Sequence, residues 1–230
     1  SDIRIDQFLI REKCISSCTN SITNFNYNNQ FTSGIGDFEQ QNNCDDLDWT
    51  HNAGSTPSSN TGPSAGLGGS GYMYLESSGN NVPYKMAVIE SPCFNISSLN
   101  LPTIYMAYHM YGLNMGFFEL EISDDNGATW DQLLVRNGDY GDNWFSYFNN
   151  DLSGYGNTIK FRITGITGDS YRSDMALDYF WIYETCPDNY TFTGNQNFSS
   201  LYEAKFNITS SRTVNVPILK YDAGQTIDLL

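Results

Sequence analysis

The sequence predicts an all-β protein built as an antiparallel sandwich, and three observations carry that expectation. Short alternating or apolar runs follow one another, separated by clusters of Gly, Asn, Asp, Ser and Pro. No stretch keeps an apolar period of about 3.6 residues for three turns, so helices are expected to be rare. Of the 230 residues only 16% are charged while 15% are aromatic, which suits short strands around a packed core better than long solvent-facing helices.

The elements are expected in the following order. Residues 1–13 alternate as a half-buried strand and line up with 173–185. Ser1 pairs with Ser173, Asp2 with Asp174, Asp6 with Asp178, Phe8 with Phe180, Ile10 with Ile182 and Glu12 with Glu184, and Cys14 then falls on Cys186. The economical account is that 1–13 is the last strand of a preceding, similar module and 14–30 a linker. The abrupt opening at Ser1-Asp2-Ile3 fits a fragment or a processed product. The sandwich is expected over 31–186, with strands at 71–76, 84–90, 103–111, 116–123, 130–135, 143–148, 158–164 and 175–183. Leu177 and Ile182 on the last strand are expected to close its core. The connection 54–71 is long and rich in Ser, Gly and Pro, a type of loop that often carries function. After Cys186-Pro187 the composition shifts to Asn, Thr and Ser, so 187–230 reads as a separate, partial β segment.

Charge and motif content exclude several classes of function. A formal charge of −15 repels phosphate backbones, so no nucleic-acid partner is expected, and no polybasic segment is present for an anionic membrane. No apolar run approaches the roughly 20 residues a bilayer-spanning helix needs, so no membrane insertion is expected either. The chain has no G-x-S-x-G elbow, HExxH, Walker loop or dinucleotide fingerprint. Its two histidines, His51 and His109, lie respectively in an Asn/Gly-rich turn and on one face of an alternating run, where a structural hydrogen-bonded role is expected. No catalytic residue and no enzymatic activity are therefore expected.

Five cysteines, Cys14, Cys18, Cys44, Cys93 and Cys186, match no zinc ribbon or finger. Disulfides in an oxidising, extracellular compartment are the preferred reading, and five reduced thiols the alternative. Cys44 with Cys93 is the favoured pair, Cys14 with Cys18 would close a very tight loop, and Cys186 is left to a partner outside these residues.

Several ordered motifs resemble the MAM domain, particularly its Bacteroidetes forms. They are Phe31-Thr32-Ser33-Gly34-Ile35-Gly36-Asp37-Phe38, Asp45-Asp46-Leu47-Asp48-Trp49-Thr50 and Thr56-Pro57-Ser58-Ser59-Asn60-Thr61-Gly62-Pro63. Gly71-Tyr72-Met73-Tyr74-Leu75-Glu76, Tyr108-His109-Met110-Tyr111-Gly112-Leu113-Asn114-Met115-Gly116 and Ser173-Asp174-Met175-Ala176-Leu177-Asp178 complete the set, which runs from roughly residue 25 to 186. The resemblance implies a jelly-roll-like sandwich without catalytic activity, used in adhesion, in oligomerisation or as an appendage of secreted hydrolases. Animal members carry a disulfide between positions that here hold Asn29 and Gly36, so that bond is absent and Cys44 and Cys93 are expected to replace it elsewhere. The segment Lys220-Tyr221-Asp222-Ala223-Gly224-Gln225-Thr226-Ile227-Asp228-Leu229 resembles a β element of proteins exported by the type IX route.

Two kinds of site are expected. A structural Ca²⁺ needs several hard oxygens drawn from separate loops, and Asp178, Asp48, Asp46 and Thr32 form the candidate set. Thr32 stands where the family's opening acidic residue would, and Tyr179 where its second closing Asp would, which weakens any inherited cation site. Tyr140, Trp144, Tyr147, Tyr155 and Tyr171 are candidates for stacking on sugar faces, with core packing the competing role for Trp144. Ser123-Asp124-Asp125-Asn126-Gly127-Ala128-Thr129-Trp130 fits an Asp-box, a turn device with no catalytic meaning. Sequons at Asn95, Asn189, Asn197 and Asn207 are expected by chance in a chain so rich in Asn. Taken together, the leading expectation is a non-catalytic adhesion or interaction module of a secreted or cell-surface multi-domain protein, with a protein or glycan partner. The alternative is an accessory domain of an extracellular protease or polysaccharide hydrolase.

Overall fold

The computed structural model describes residues 14, 17–69, 71–149 and 151–185. The expectations for 1–13, Cys186 and 187–230 lie outside the described residues. Thirteen strands are present among those described: β1 (Ser21–Ile22), β2 (Tyr27–Asn29), β3 (Glu39–Gln40), β4 (Thr50–Asn52), β5 (Tyr72–Leu75), β6 (Met86–Glu90), β7 (Cys93–Asn95), β8 (Pro102–Met110), β9 (Phe117–Ser123), β10 (Asp131–Asn137), β11 (Trp144–Asn149), β12 (Thr158–Ile166) and β13 (Met175–Glu184). Only single 3₁₀ turns, at Leu67–Gly69 and Gly79–Asn81, interrupt them. All eight strands expected from alternation are there.

They form two sheets. In the first, β12 pairs with β6, β7 and β9, while β10 extends β9, β3 extends β6 and β1 extends β7. In the second the order is β11-β8-β13-β5-β4, with β2 also paired to β13. Among the strands every pairing is antiparallel except β1 with β7.

Alternation explains why the sheets face each other. Along β9 the side chains of Phe118, Leu120 and Ile122 are fully buried, and along β12 so are those of Ile159, Phe161 and Ile163. From the second sheet Ile104, Met106, Leu177, Phe180 and Ile182 meet them in one core cluster. Phe180 lies edge-on to Phe161 at 5.3 Å between centroids and stacks beside Phe94 at 6.3 Å, so three rings lock the two layers together. Burying a ring of this size contributes roughly 1.5–3 kcal/mol. Leu177 and Ile182 close the core as expected, each with no exposed surface.

On the outside of the first sheet, Glu90 is fully buried yet compensated. Lys160 Nζ lies 2.8 Å and Arg162 3.0 Å from its carboxylate. The Arg162 guanidinium also sits 3.9 Å above the ring of Trp130. Trp130 ends the Asp-box turn, where Ser123 Oγ–H donates to Asp125 Oδ1 at 2.8 Å and Thr129 N–H to the same oxygen at 2.8 Å. Asn126 (φ 62°) and Gly127 (φ 82°) take the left-handed conformations that join β9 to β10. The motif is a hairpin device, as its chemistry predicts.

Two expectations are corrected here. Cys44 and Cys93 do not bond each other: the disulfides are Cys14–Cys44 and Cys18–Cys93, spanning 30 and 75 residues. Each cysteine of the 14–18 segment reaches a different part of the first sheet, which spacing alone could not reveal. The expected linker 14–30 is consequently part of the sandwich, covalently anchored and supplying β1 and β2. Where the family resemblance places a disulfide, Asn29 Nδ2–H donates to the Ile35 carbonyl at 2.9 Å and Phe31 N–H donates to Asn29 Oδ1 at 3.0 Å. A Cβ on Gly36 (φ +66°) would fall 2.5 Å from that same amide nitrogen. An amide side chain thus ties the turn together at the point where the cross-link is missing.

Candidate functional site

The outer face of the second sheet holds most of the chemically distinctive side chains. Its composition follows from strand parity. On β8 the inward residues are Ile104, Met106, Tyr108 and Met110, which leaves Thr103, Tyr105, Ala107 and His109 facing out. Register then sets Trp144, Ser146 and Phe148 of β11 beside His109, Ala107 and Tyr105. On β13 the register shifts between Asp178 and Trp181, and Tyr179 takes φ +50°. This bulge sets the two consecutive side chains of Asp178 and Tyr179 on the outer face and returns Phe180 to the core. Beyond it Trp181 and Tyr183 face out, opposite Tyr105 and Thr103.

One half of this face is covered by the long connection expected to be functional. Tyr72, Tyr74 and Ala176 form a second buried cluster with Trp144 against it. Trp144 Nε1–H donates to the Ala65 carbonyl at 3.1 Å, and Tyr72 O–H donates to the Gly54 carbonyl at 2.6 Å. Burial pushes the Tyr72 phenol up to about 12, so it stays a donor. Asp178, with no exposed surface, accepts from Leu67 N–H at 2.9 Å and Tyr179 N–H at 2.7 Å. Desolvation raises its pKa to about 7, and the two amide bonds oppose that rise. His109 is buried nearby, 3.2 Å from Asp142 Oδ1 and edge-on to Trp144. Loss of solvation lowers its pKa more than Asp142 raises it, so the ring is neutral at pH 7. It fills the structural role expected of it. His51, the other histidine, bonds the Thr32 carbonyl at 3.2 Å.

The other half is open. Phe148 is 52% exposed, and Tyr105, Tyr179, Trp181 and Tyr183 are half-buried. Tyr105 and Trp181 lie 5.5 Å apart between centroids, and Tyr179 and Trp181 5.6 Å. Phe148, Tyr105, Trp181 and Asn28 form one row across β11, β8, β13 and β2. Tyr105 shares a 2.9 Å hydrogen bond with Ser146 Oγ, and the Thr103 and Thr185 hydroxyls bond each other at the far end. Tyr179 borders the covered half, where a Cβ on Gly68 (φ +71°) would meet its hydroxyl at 2.9 Å. None of these four strands contains Lys or Arg.

The expected cation ligands are not brought together. Asp46 Oδ2 accepts from Met86 N–H at 2.9 Å and so belongs to the edge of the first sheet, whereas Asp178 is occupied by the loop over the second. Asp48 and Thr32 are exposed. Beside Asp46, Asp45 accepts from Val88 N–H at 2.7 Å, and burial raises its pKa to about 6. Among the described residues no three His, Cys, Asp or Glu side chains lie close enough to hold a metal. Asp46 and Asp178 each accept a backbone N–H instead, one from β6 and one from the loop. The aromatic candidates divide as well. Trp144 lies under the loop, Tyr147 and Tyr155 pack on the core, and only Tyr140 and Tyr171 are exposed, at 40% and 41%. Sequence reasoning missed Phe148, Tyr105, Trp181 and Tyr183. Alternation within β13 was the signal for the last two, and the bulge hid it.

No helix among the described residues is long and apolar enough to cross a membrane. Comparison with known proteins agrees with the architecture. The family model described as "MAM domain, meprin/A5/mu" matches residues 23–187. A MAM domain-containing glycosylphosphatidylinositol anchor protein 1 of Gallus gallus is 29% identical over 146 residues, covering 60% of this chain and 15% of that protein. Thyroid hormone-induced protein B of Xenopus laevis is 30% identical over 135 residues, covering 56% of this chain and 19% of that one. The chain therefore spans less than a fifth of the length of these relatives. Among solved structures, the K1 cleaved adhesin domain of Lys-gingipain from Porphyromonas gingivalis W83 superposes with a TM-score of 0.50 at 16% identity, covering 71% of this chain and all of that domain, a likeness of fold alone.

Proposed function

The chain belongs to the MAM domain family, and from that premise we propose that it is a non-catalytic adhesion or interaction module of a secreted or cell-surface multi-domain protein. The observation that carries the reading is the open half of the second sheet's outer face. Five aromatic side chains stand together there at the surface, a concentration that marks an interaction site more often than a bare exterior. Non-catalytic action is supported by how the chemistry-bearing residues are used. His109 is buried on Asp142, His51 bonds a backbone carbonyl, and Asp178 holds the loop. An extracellular setting is supported by the two disulfides and by the anchor named in the relatives.

The exposed rings also favour the second reading, an accessory domain that holds an extracellular hydrolase to its substrate. Export by the type IX route belongs to the same proposal and rests on the resemblance of 220–229.

Beads coated with the full chain are expected to adhere to one another, to cells or to matrix polysaccharide, and beads coated with reduced, alkylated chain are not. Absence of adhesion to all three would sink the reading. Hydrolysis of peptide or glycoside substrates by the chain alone would remove its non-catalytic part.

A further inference from the structure

We infer that the open aromatic half-face is a binding shelf for a neutral, extended glycan, with Phe148, Tyr105 and Trp181 as its stacking floor. The inference rests on the interaction-module reading and names the ligand class of that surface. Three features select the occupant.

The first is shape. Phe148, Tyr105 and Trp181 come from adjacent strands at one level of the sheet, so the row runs across β11, β8 and β13 for about 10 Å at the usual spacing of strands. A ribbon-like sugar chain presents successive ring faces over such a distance, and its axial C–H groups pack on aromatic rings without needing charge.

The second is polarity. The floor is bordered by groups that exchange hydrogen bonds with hydroxyls. They are the Tyr105 and Ser146 hydroxyls on one side and the exposed Asn28 amide on the other. Tyr179 and the loop turn at Gly68 form a wall along the covered half. Apolar faces for the rings and neutral donors and acceptors at the rim are the two halves of a sugar's own surface.

The third is charge. The strands that build the shelf, β2, β8, β11 and β13, contain no Lys or Arg to pair with carboxylate or sulfate groups. The chain carries −15, so acidic glycans and a second copy of this chain are both repelled. An uncharged polyol escapes that penalty.

Native affinity electrophoresis of the full chain tests this, using gels cast with hydroxyethylcellulose, arabinoxylan or galactan, and with alginate or polygalacturonate as acidic counterparts. At least one neutral polymer is expected to retard the chain and the acidic ones are not. Phe148→Ala and Trp181→Ala are each expected to weaken that binding about tenfold, the loss typical of a stacked anchor, while Tyr171→Ala on another surface leaves it unchanged. Melting curves establish that the variants fold. Phe148→Ala alters a half-exposed ring and keeps the test decisive if Trp181→Ala unfolds the chain. Retardation that survives Phe148→Ala overturns the shelf. Retardation by no neutral polymer, while chain-coated beads still adhere, overturns the glycan but not the interaction module. Self-association abolished by Phe148→Ala would assign the surface to a second copy and also overturn the proposal.

Discussion

The two halves of the second sheet's outer face share strands and differ in fate. At the covered half, Tyr72 and Trp144 donate to the Gly54 and Ala65 carbonyls of the loop, and Tyr74 and His109 pack beside them. At the open half, Tyr105, Phe148, Trp181 and Tyr183 stand on the same sheet, and among the described residues no such loop bonds to them. Both halves are aromatic, so hydrophobicity does not separate them. The loop brings N–H and C=O groups that must be bonded wherever they are buried, and only the covered half supplies polar partners in depth. Asp178 takes two backbone donors, Asn52 Nδ2–H donates to the Tyr72 hydroxyl, and Tyr72 in turn donates to Gly54. The register shift after Asp178 is the border between the halves. A sheet face is finished where its side chains can satisfy a covering backbone and left available where they cannot.

Substitutions on either side of that border should behave oppositely, and the largest effect is expected at Tyr72. Tyr72→Ala removes a side chain with no exposed surface and the acceptor and donor that tie Asn52 to Gly54. A loss of roughly 3–5 kcal/mol in urea unfolding is expected. A loss below about 1 kcal/mol would mean that the loop adds little to the covered half, and the contrast would collapse.

A middle-sized effect concerns Asp178. Its pKa of about 7 in the fold lies above the ordinary value of 3.8, so the folded state holds a proton that the unfolded chain has released. Stability from this group is therefore complete below about pH 4 and declines as pH rises toward 7, where the curve levels. Asp45, raised to about 6, adds a decline in the same direction over a lower range. Asp178→Asn should flatten the melting-temperature profile between pH 4 and 7 relative to the parent chain. An unchanged slope would show that Asp178 is not desolvated beneath the loop.

The smallest effect is expected at Phe148, 52% exposed on the open half. Phe148→Ala should shift unfolding by no more than about 0.5 kcal/mol while it impairs binding. A shift as large as that of Tyr72→Ala would place Phe148 in the core and remove the distinction between the covered and the open half.

Much of this architecture was legible in the residues. Phe118-Glu119-Leu120-Glu121-Ile122 alternates without ambiguity, and Ile159-Lys160-Phe161-Arg162-Ile163 of β12 is a comparable run. The shortest strands were illegible because two or three residues, such as Glu39–Gln40, hold no period. Cysteine partners stayed hidden because connectivity depends on where β7 and the 14–18 segment end in space. The expected cation set grouped Asp46 with Asp178 because both are acidic and near motif ends. Nothing in the sequence signals that these two carboxylates bond the Met86 and Leu67 amides in different parts of the fold. The open shelf was missed for a subtler reason. A strict two-residue period cannot keep both Leu177 and Ile182 inward, five positions apart, and the extra residue at the bulge both resolves that conflict and turns Trp181 outward.

The Cys14–Cys44 and Cys18–Cys93 bonds have a mechanical consequence. Tension arriving from upstream through residue 14 passes directly across a covalent bridge to Cys44, so β1 and β2 are shielded from being peeled away. The segment between those cysteines, 30 positions apart, cannot lengthen under load, and a pull on Cys18 is handed to β7 inside the first sheet. A load applied at residue 14 is in this way carried into the sandwich without first unravelling its leading edge.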